Sequence, residues 1–275
     1  MTEINENSLR RHLLERESNS HKGDYGHLLI VAGCDSMPGA AHLATRSALV
    51  SGCGLVTLHT TRFAAYSLVS DVPSAMLSID SGSVISEMPC NIEKYTAIAV
   101  GPGIGKDSKT LDVLTKILEY AGINRIPCVL DADALNLIAD NPVLFRIIPD
   151  KCVITPHMGE LKRLEAKLNM DDIKGKCVLV VKGHRTRIYS PLSDTVINTT
   201  GNPGMAKGGS GDVLTGLLGG LIARGYDVSV AASMAVWIHG YAGDYCSKIY
   251  GMESYNSKHL ADNLYIGFKK LYGND

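Results

Sequence analysis

Short apolar runs recur along the chain, each closed by glycine or a polar residue and most followed by a segment of helical spacing. Residues 3–17 carry Leu9, Leu13 and Leu14 among charges, a pattern that predicts an N-terminal amphipathic helix. The run HLLIVA at 27–32 predicts a buried strand ended by Gly33. Pro38, tolerated in a first helical turn, opens a helix to about Val50, and residues 54–60 form the next strand. Strands follow at 95–100, 127–130, 152–154 and 177–181, with helices predicted at 111–120 and 160–168. Segments 186–189 and 194–198 suit an antiparallel hairpin, and three helices are expected at about 210–224, 227–248 and 257–272. Apolar strands alternating with helices predict an α/β fold: a three-layer α/β/α arrangement with a mainly parallel central sheet. No linker of biased composition divides the 275 residues, so residues 1–275 are expected to form a single domain.

Composition narrows the function. The 27 Lys and Arg balance 28 Asp and Glu to a formal charge of −1. That excludes an electrostatic nucleic-acid binder and adhesion to an anionic membrane. Residues 1–26 lack an apolar leader core, and the longest nearly apolar stretch, 213–223, is too short to span a bilayer. Seven cysteines without a C-x-x-C spacing predict reduced, buried thiols and a cytoplasmic protein. Nine histidines without an H-x-x-x-H pair give no sign of structural zinc.

Candidate chemistry gathers where strands end. Asp131 and Asp133 follow PCVL, His157 and Glu160 follow CVIT, and Lys182 and Thr186 follow CVLVV. Ligands of open parallel sheets bind beyond the carboxyl ends of strands, so these loops can meet in one cleft. The strongest segment is Gly201-Asn-Pro-Gly-Met-Ala-Lys-Gly-Gly-Ser-Gly-Asp212, running directly into an apolar helix. Glycines let backbone N–H groups approach an anion, and the helix dipole adds to the attraction. Asp212 can then cap the helix or act as general base toward a hydroxyl that attacks phosphate. The segment is neither a Walker A loop nor a Rossmann fingerprint. Asp131 and Asp133 read more naturally as a strand-end turn, with Asp133 capping a helix, than as a catalytic pair; Asn136 faces solvent on that reading. Lys207 either steadies phosphate as a point charge or lies on the loop surface. His239 and Trp237 fall in an apolar helix and read as core or interface residues; Cys34 and Cys53 read as packing residues.

Taken in order, seven segments resemble the ADP- or ATP-dependent NAD(P)H-hydrate dehydratases of the ribokinase-like superfamily. They are Lys22-Gly-Asp-Tyr-Gly26, Met37-Pro-Gly-Ala-Ala41, Gly101-Pro-Gly-Ile-Gly105, Leu130-Asp-Ala-Asp-Ala-Leu-Asn136, Thr155-Pro-His-Met-Gly-Glu160, Val181-Lys-Gly-His-Arg-Thr186 and the stretch 201–218. The resemblance implies repair of the hydrated nucleotides NADHX and NADPHX to NADH and NADPH, with ADP (or ATP) converted to AMP (or ADP) and phosphate. It implies catalysis by Asp212 with the Gly209–Gly211 backbone as anion hole. It assigns the hydrated substrate to Ala41, Gly103, His157 and Asp212, and the adenine nucleotide to Lys182, Gly183, His184, Arg185, Thr186 and Gly211. Glu160 resembles the glutamate that supports a Mg2+ water shell. Related vitamin kinases have asparagine where His157 stands, which favours the dehydratase over the alternative, a small-molecule (vitamin or sugar) kinase. The resemblance further implies a homotetramer and an NAD(P)HX epimerase on a separate chain. Two departures stand out: Met158 replaces a common proline, and residues 164–177 look shorter than usual by about three helical turns.

Overall fold

The structure, a computed structural model, describes residues 2–273. Among these residues ten strands build one sheet: β1 (Thr2–Glu3), β2 (His27–Val31), β3 (Leu55–Thr61), β4 (Met76–Asp80), β5 (Ala97–Val100), β6 (Cys128–Leu130), β7 (Cys152–Ile154), β8 (Val178–Val181), β9 (Arg187–Ser190) and β10 (Ser193–Ile197). Their order is β1-β10-β9-β8-β7-β6-β5-β2-β3-β4. From β4 to β8 every pairing is parallel; β8–β9 and β9–β10 are antiparallel, which is the expected hairpin added to the edge. The central strands are buried along their whole length, which is why they read as unbroken apolar runs.

Among the described residues eleven α-helices flank the sheet: α1 (Glu6–Arg10), α2 (Pro38–Leu49), α3 (Arg62–Leu68), α4 (Ser108–Asn124), α5 (Ala132–Asp140), α6 (Met158–Glu165), α7 (Met170–Lys176), α8 (Ser210–Ala223), α9 (Val228–Tyr250), α10 (Ser257–Asp262) and α11 (Tyr265–Tyr272). Two cores form on opposite faces. One holds α2, α8 and α9; the other holds α4, α5 and α6. Helix α8 is buried from Val213 to Ala223 and packs on α2, β2, β5 and β6. An all-round apolar helix is what that central position requires.

The structure corrects several expectations. The N-terminal helix stops at Arg10, because the backbone beyond it finds other partners. Leu14 N–H donates to Tyr226 Oη at 3.1 Å, and Tyr272 Oη and Arg224 donate to the Leu14 and Glu15 carbonyls. The helix expected at 257–272 is two helices, divided at Asn263, whose side chain donates to the His259 carbonyl at 2.8 Å. Strand β4 and helix α3 were not expected. β4 is an edge strand of mixed exposure and α3 has only seven residues, so neither carries a clear period. Five of the cysteines are buried as expected, but Cys53 is half-buried and Cys90 is exposed. Among the described residues no helix is long and apolar enough to cross a membrane.

Candidate active site

Because β2 and β5–β8 run parallel side by side, the loops that follow them lie along one edge of the sheet. Two loops interlock first. Gly33 N–H donates to the Pro102 carbonyl at 2.8 Å, and Gly103 faces Ala40 and Met37 so closely that a methyl there would stand 2.8 Å from the Ala40 Cβ. Ala41 and Gly103 are therefore brought together, both buried. Gly101, with φ +134°, lies flat against the Asp131 carbonyl; a Cβ would meet that oxygen at 1.9 Å. Only glycine allows the loops after β5 and β6 to touch there.

The loop before α8 approaches the same edge. Gly209, with φ +89°, ends it, and a side chain at this position would collide with Leu43 of α2. The turn is held from behind by His239, which donates from Nε2 to the Ser210 carbonyl at 2.9 Å. Burial pushes this imidazole down to about 4, so it is neutral at physiological pH. His239 is thus a core residue, as its apolar helix suggests, and also a support for the glycine loop. Lys207 takes neither role open to it in the sequence. Its ammonium donates to the carbonyls of Met252, Glu253 and Tyr255, so it ties the loop to the segment before α10.

The carboxylates converge around one lysine. Lys182 Nζ donates to Asp131 Oδ1 at 2.6 Å and lies 3.9 Å from Glu160 Oε2. A methyl on Gly211 would stand 3.3 Å from that Nζ and 3.6 Å from Asp131 Oδ2, so the first turn of α8 borders the pair directly. Asp131 is 1% exposed and its second oxygen accepts from Thr215 Oγ1 at 2.7 Å. This corrects the sequence reading of Asp131 and Asp133. Asp131 precedes α5 but caps nothing; it is a buried member of the cluster. Asp133 lies in the first turn of α5, where it accepts from Gly105 N–H at 2.9 Å and Asn136 Nδ2 at 3.3 Å. Asn136 is thus engaged rather than turned to solvent. Ala132, between the two aspartates, has φ +48°, a left-handed conformation that costs a non-glycine residue about 1 kcal/mol.

Asp212, in the first turn of α8, feels this crowding. Burial, then Asp131, and to a smaller extent Asp133 and Glu160 raise its carboxyl from 3.8 to about 6, against the opposing pull of Lys182. His157 and Glu160 form a capping box at the start of α6. His157 Nδ1 accepts from Gly159 N–H at 2.9 Å, and Glu160 Oε2 accepts from His157 N–H at 2.8 Å. The H-x-x-E pattern therefore has a local structural cause as well as a place beside Lys182. Met158 is the first residue of α6, where proline is equally well accommodated. Gly183, His184 and Arg185 form an exposed turn closed by Thr186, whose Oγ1 donates to the Gly183 carbonyl at 3.2 Å. They stand next to Lys182 at the open side of the cluster. Sequence reasoning does not single out Thr215; its signal is the one hydroxyl in the otherwise apolar stretch 213–223, a single turn beyond Gly211.

The donor set suits a hard cation. Asp131 and Glu160 lie on the one ammonium, and the Asp212 carboxyl, raised first by burial, also feels the charge of Asp131, Asp133 and Glu160. Among the described residues no three side chains stand ready to hold an ion directly. Mg2+, which keeps several waters and bridges to phosphate, fits such a site.

Comparison with known proteins agrees with this geometry. The family model for NAD(P)H-hydrate dehydratase matches residues 28–265. A bifunctional NAD(P)H-hydrate repair enzyme of Moorella thermoacetica is 36% identical over 93% of this chain and 51% of that protein. The chain thus spans about half the length of the first curated relatives it matches. The ADP-dependent (S)-NAD(P)H-hydrate dehydratase of Bacillus subtilis is 31% identical over 94% of this chain and 95% of its own. A crystal structure of the ADP/ATP-dependent NAD(P)H-hydrate dehydratase from that organism, co-crystallized with ATP/Mg2+, superposes with a TM-score of 0.81 at 30% identity over 98% of both chains. Ribokinase-like topology, a glycine loop opening α8 against a cluster of carboxylates, and a match over most of its length together place this chain in the NAD(P)H-hydrate dehydratase family.

Proposed function

We propose that this chain restores NADHX and NADPHX to NADH and NADPH, consuming ADP or ATP. The observation that carries the reading is the position of Asp212. Its carboxyl sits in the first turn of α8, beside Gly209–Gly211, with its proton affinity raised to about 6. A carboxylate tuned there is ionised at neutral pH yet basic enough to take a hydroxyl proton. The hydrate carries a hydroxyl on its nicotinamide ring, and hydroxide is a poor leaving group. Asp212 removes the hydroxyl proton as the oxygen forms a bond to the terminal phosphoryl group, and the bond from phosphorus to the leaving nucleotide breaks. The lone pair of the ring nitrogen then expels phosphate, and loss of a proton from the adjacent carbon restores the ring double bond.

The remaining residues bind and orient. The backbone of Gly209 and Gly211 would receive the charge that accumulates on the transferring phosphoryl oxygens, while the Ser210 N–H between them donates to the Lys207 carbonyl at 3.3 Å. Lys182 and the turn from Gly183 through His184 and Arg185 to Thr186 receive the adenine nucleotide, together with Gly211. Ala41 of α2 and Gly103 of the loop after β5, both buried, give the hydrated ring a close wall, with His157 at its rim. Glu160 and its neighbouring carboxylates would hold hydrated Mg2+, which supplies neutralising charge to the phosphates when bound. The active form is a homotetramer in a cytoplasmic setting, served by an NAD(P)HX epimerase on another chain.

The test is Asp212→Ala. The proposal expects turnover to fall by at least about a thousandfold while ADP affinity changes by only a few-fold. Equal losses in both contradict the base role. Accumulation of a phosphorylated product by the wild-type protein, in place of free phosphate, would instead identify a small-molecule kinase.

A further inference from the structure

The buried hydroxyl of Thr215 has a use that packing alone does not explain. It lies within α8, fully buried, one turn after Gly211. A threonine in a helix ordinarily donates back to the carbonyl four residues earlier. Here Thr215 Oγ1 is 3.2 Å from the Gly211 carbonyl, but its shorter contact, 2.7 Å, is with Asp131 Oδ2 from a different element. The other oxygen of that carboxylate carries Lys182 Nζ at 2.6 Å. The chain of contacts runs from the first turn of α8, through Thr215 and Asp131, to the ammonium that borders Gly211. Every link is inaccessible or nearly so: Asp131 and Thr215 are buried, and Lys182 is largely covered.

We infer that Thr215 is a positioning residue: it fixes the Asp131 carboxylate so that Lys182 is held at the anion hole formed by α8. Resting on the proposed role of Gly209–Gly211 and Asp212, it assigns the coupling between that hole and its lysine to one hydroxyl. A carboxylate held through one oxygen can rotate about its Cβ–Cγ bond; held through both, it cannot. The second hydrogen bond therefore sets where the ammonium stands. It also ties that position to α8 itself, so the hole and the lysine move together. A displacement of about an ångström at a reacting centre can cost on the order of a hundredfold in rate.

The experiment uses the full chain with NADHX, ADP and Mg2+. Thr215→Val keeps the shape and removes the hydroxyl; Thr215→Ser keeps the hydroxyl. The inference expects kcat of Thr215→Val to fall by about tenfold or more while KM for ADP rises by at most a few-fold, since Lys182 keeps its charge and loses only its fixed position, and Thr215→Ser to recover most of it. Because Thr215 acts through Asp131, adding Thr215→Val to Asp131→Asn should cause little further loss. Thr215→Ala, which leaves room for water, is read the same way if the valine variant does not fold. The inference is overturned if Thr215→Val stays within about twofold of wild type, if serine is as impaired as valine, or if the valine loss multiplies in full on Asp131→Asn. Asp212→Asn is measured alongside. If it is inactive while Thr215→Val is fully active, only the role of Thr215 falls; if Asp212→Asn is itself fully active, the reading of the whole site falls with it.

Discussion

Replacing Asp212 by asparagine should make the protein more stable while stopping its chemistry. Asp212 sits among Asp131, Asp133 and Glu160, with Lys182 as the neighbouring cation. Burial and then the other carboxylates raise its carboxyl from 3.8 to about 6. A rise of that size corresponds to about 2–3 kcal/mol of destabilisation by the ionised form at neutral pH, taken as an upper figure. The folded chain binds this proton more tightly than the unfolded one. Below 3.8 both states are protonated and nothing is lost; the penalty grows as pH rises toward 6 and is complete above it. Asparagine mimics the protonated form at every pH. For a chain of this size, roughly 2 °C accompanies each kcal/mol, so Asp212→Asn should melt about 4–6 °C higher than wild type near pH 7.5. Near pH 4 the gap should almost close. The assay is thermal unfolding of both proteins across that range, without nucleotide or Mg2+. A variant less stable than wild type near neutrality, or a gap independent of pH, would refute the electrostatic account of the site.

Other substitutions test separate parts of the structure. The kcat/KM for NADHX should fall on acidification with a midpoint near 6, as the Asp212 base of the free enzyme is protonated; a flat profile down to about pH 5 would contradict that assignment. Lys207→Met removes the donor shared by three carbonyls before α10, and should lower stability by about 2–3 kcal/mol in a denaturant titration. Asp80, fully buried at the end of β4, is raised by burial but held well below the usual carboxylate range by His59 and the N–H groups of Ser86, Gly82 and Glu87. Asp80→Asn should therefore cost about 2–4 kcal/mol at neutral pH, and its deficit against wild type should shrink in acid as the wild-type carboxylate is protonated. Ala132→Gly should leave the melting temperature unchanged or raise it, because it relieves a left-handed backbone, whereas Ala134→Gly within α5 should lower it.

What the sequence discloses here depends on whether the cause is local. Strands β2, β5, β6, β7 and β8 are legible because burial on both faces forces uninterrupted apolar runs. The glycine loop before α8 is legible because its backbone demands are local. Asp131 reads in sequence as part of a turn because a carboxylate after a strand looks the same whether it caps a helix or holds a lysine. The partners that decide are Lys182 and Thr215, 51 and 84 residues further on. Lys207 was ambiguous for the same reason: its carbonyl partners lie 45–48 residues away. The N-terminal helix was overextended because the tyrosine hydroxyls that satisfy the Leu14 backbone belong to the far end of the chain. The motif-bearing loops also carried the family resemblance, which the matching family model bears out.

The central claim is that this chain dehydrates a nicotinamide hydrate by spending a nucleotide phosphoryl group at Asp212. The decisive measurement mixes the protein with NADHX, Mg2+ and ADP or ATP, following the return of reduced-nicotinamide absorbance and the release of phosphate together. The account predicts recovery that requires nucleotide, one phosphate for each NADH formed, and neither signal with Asp212→Asn. Recovery without nucleotide, or undiminished recovery with Asp212→Asn, would contradict it.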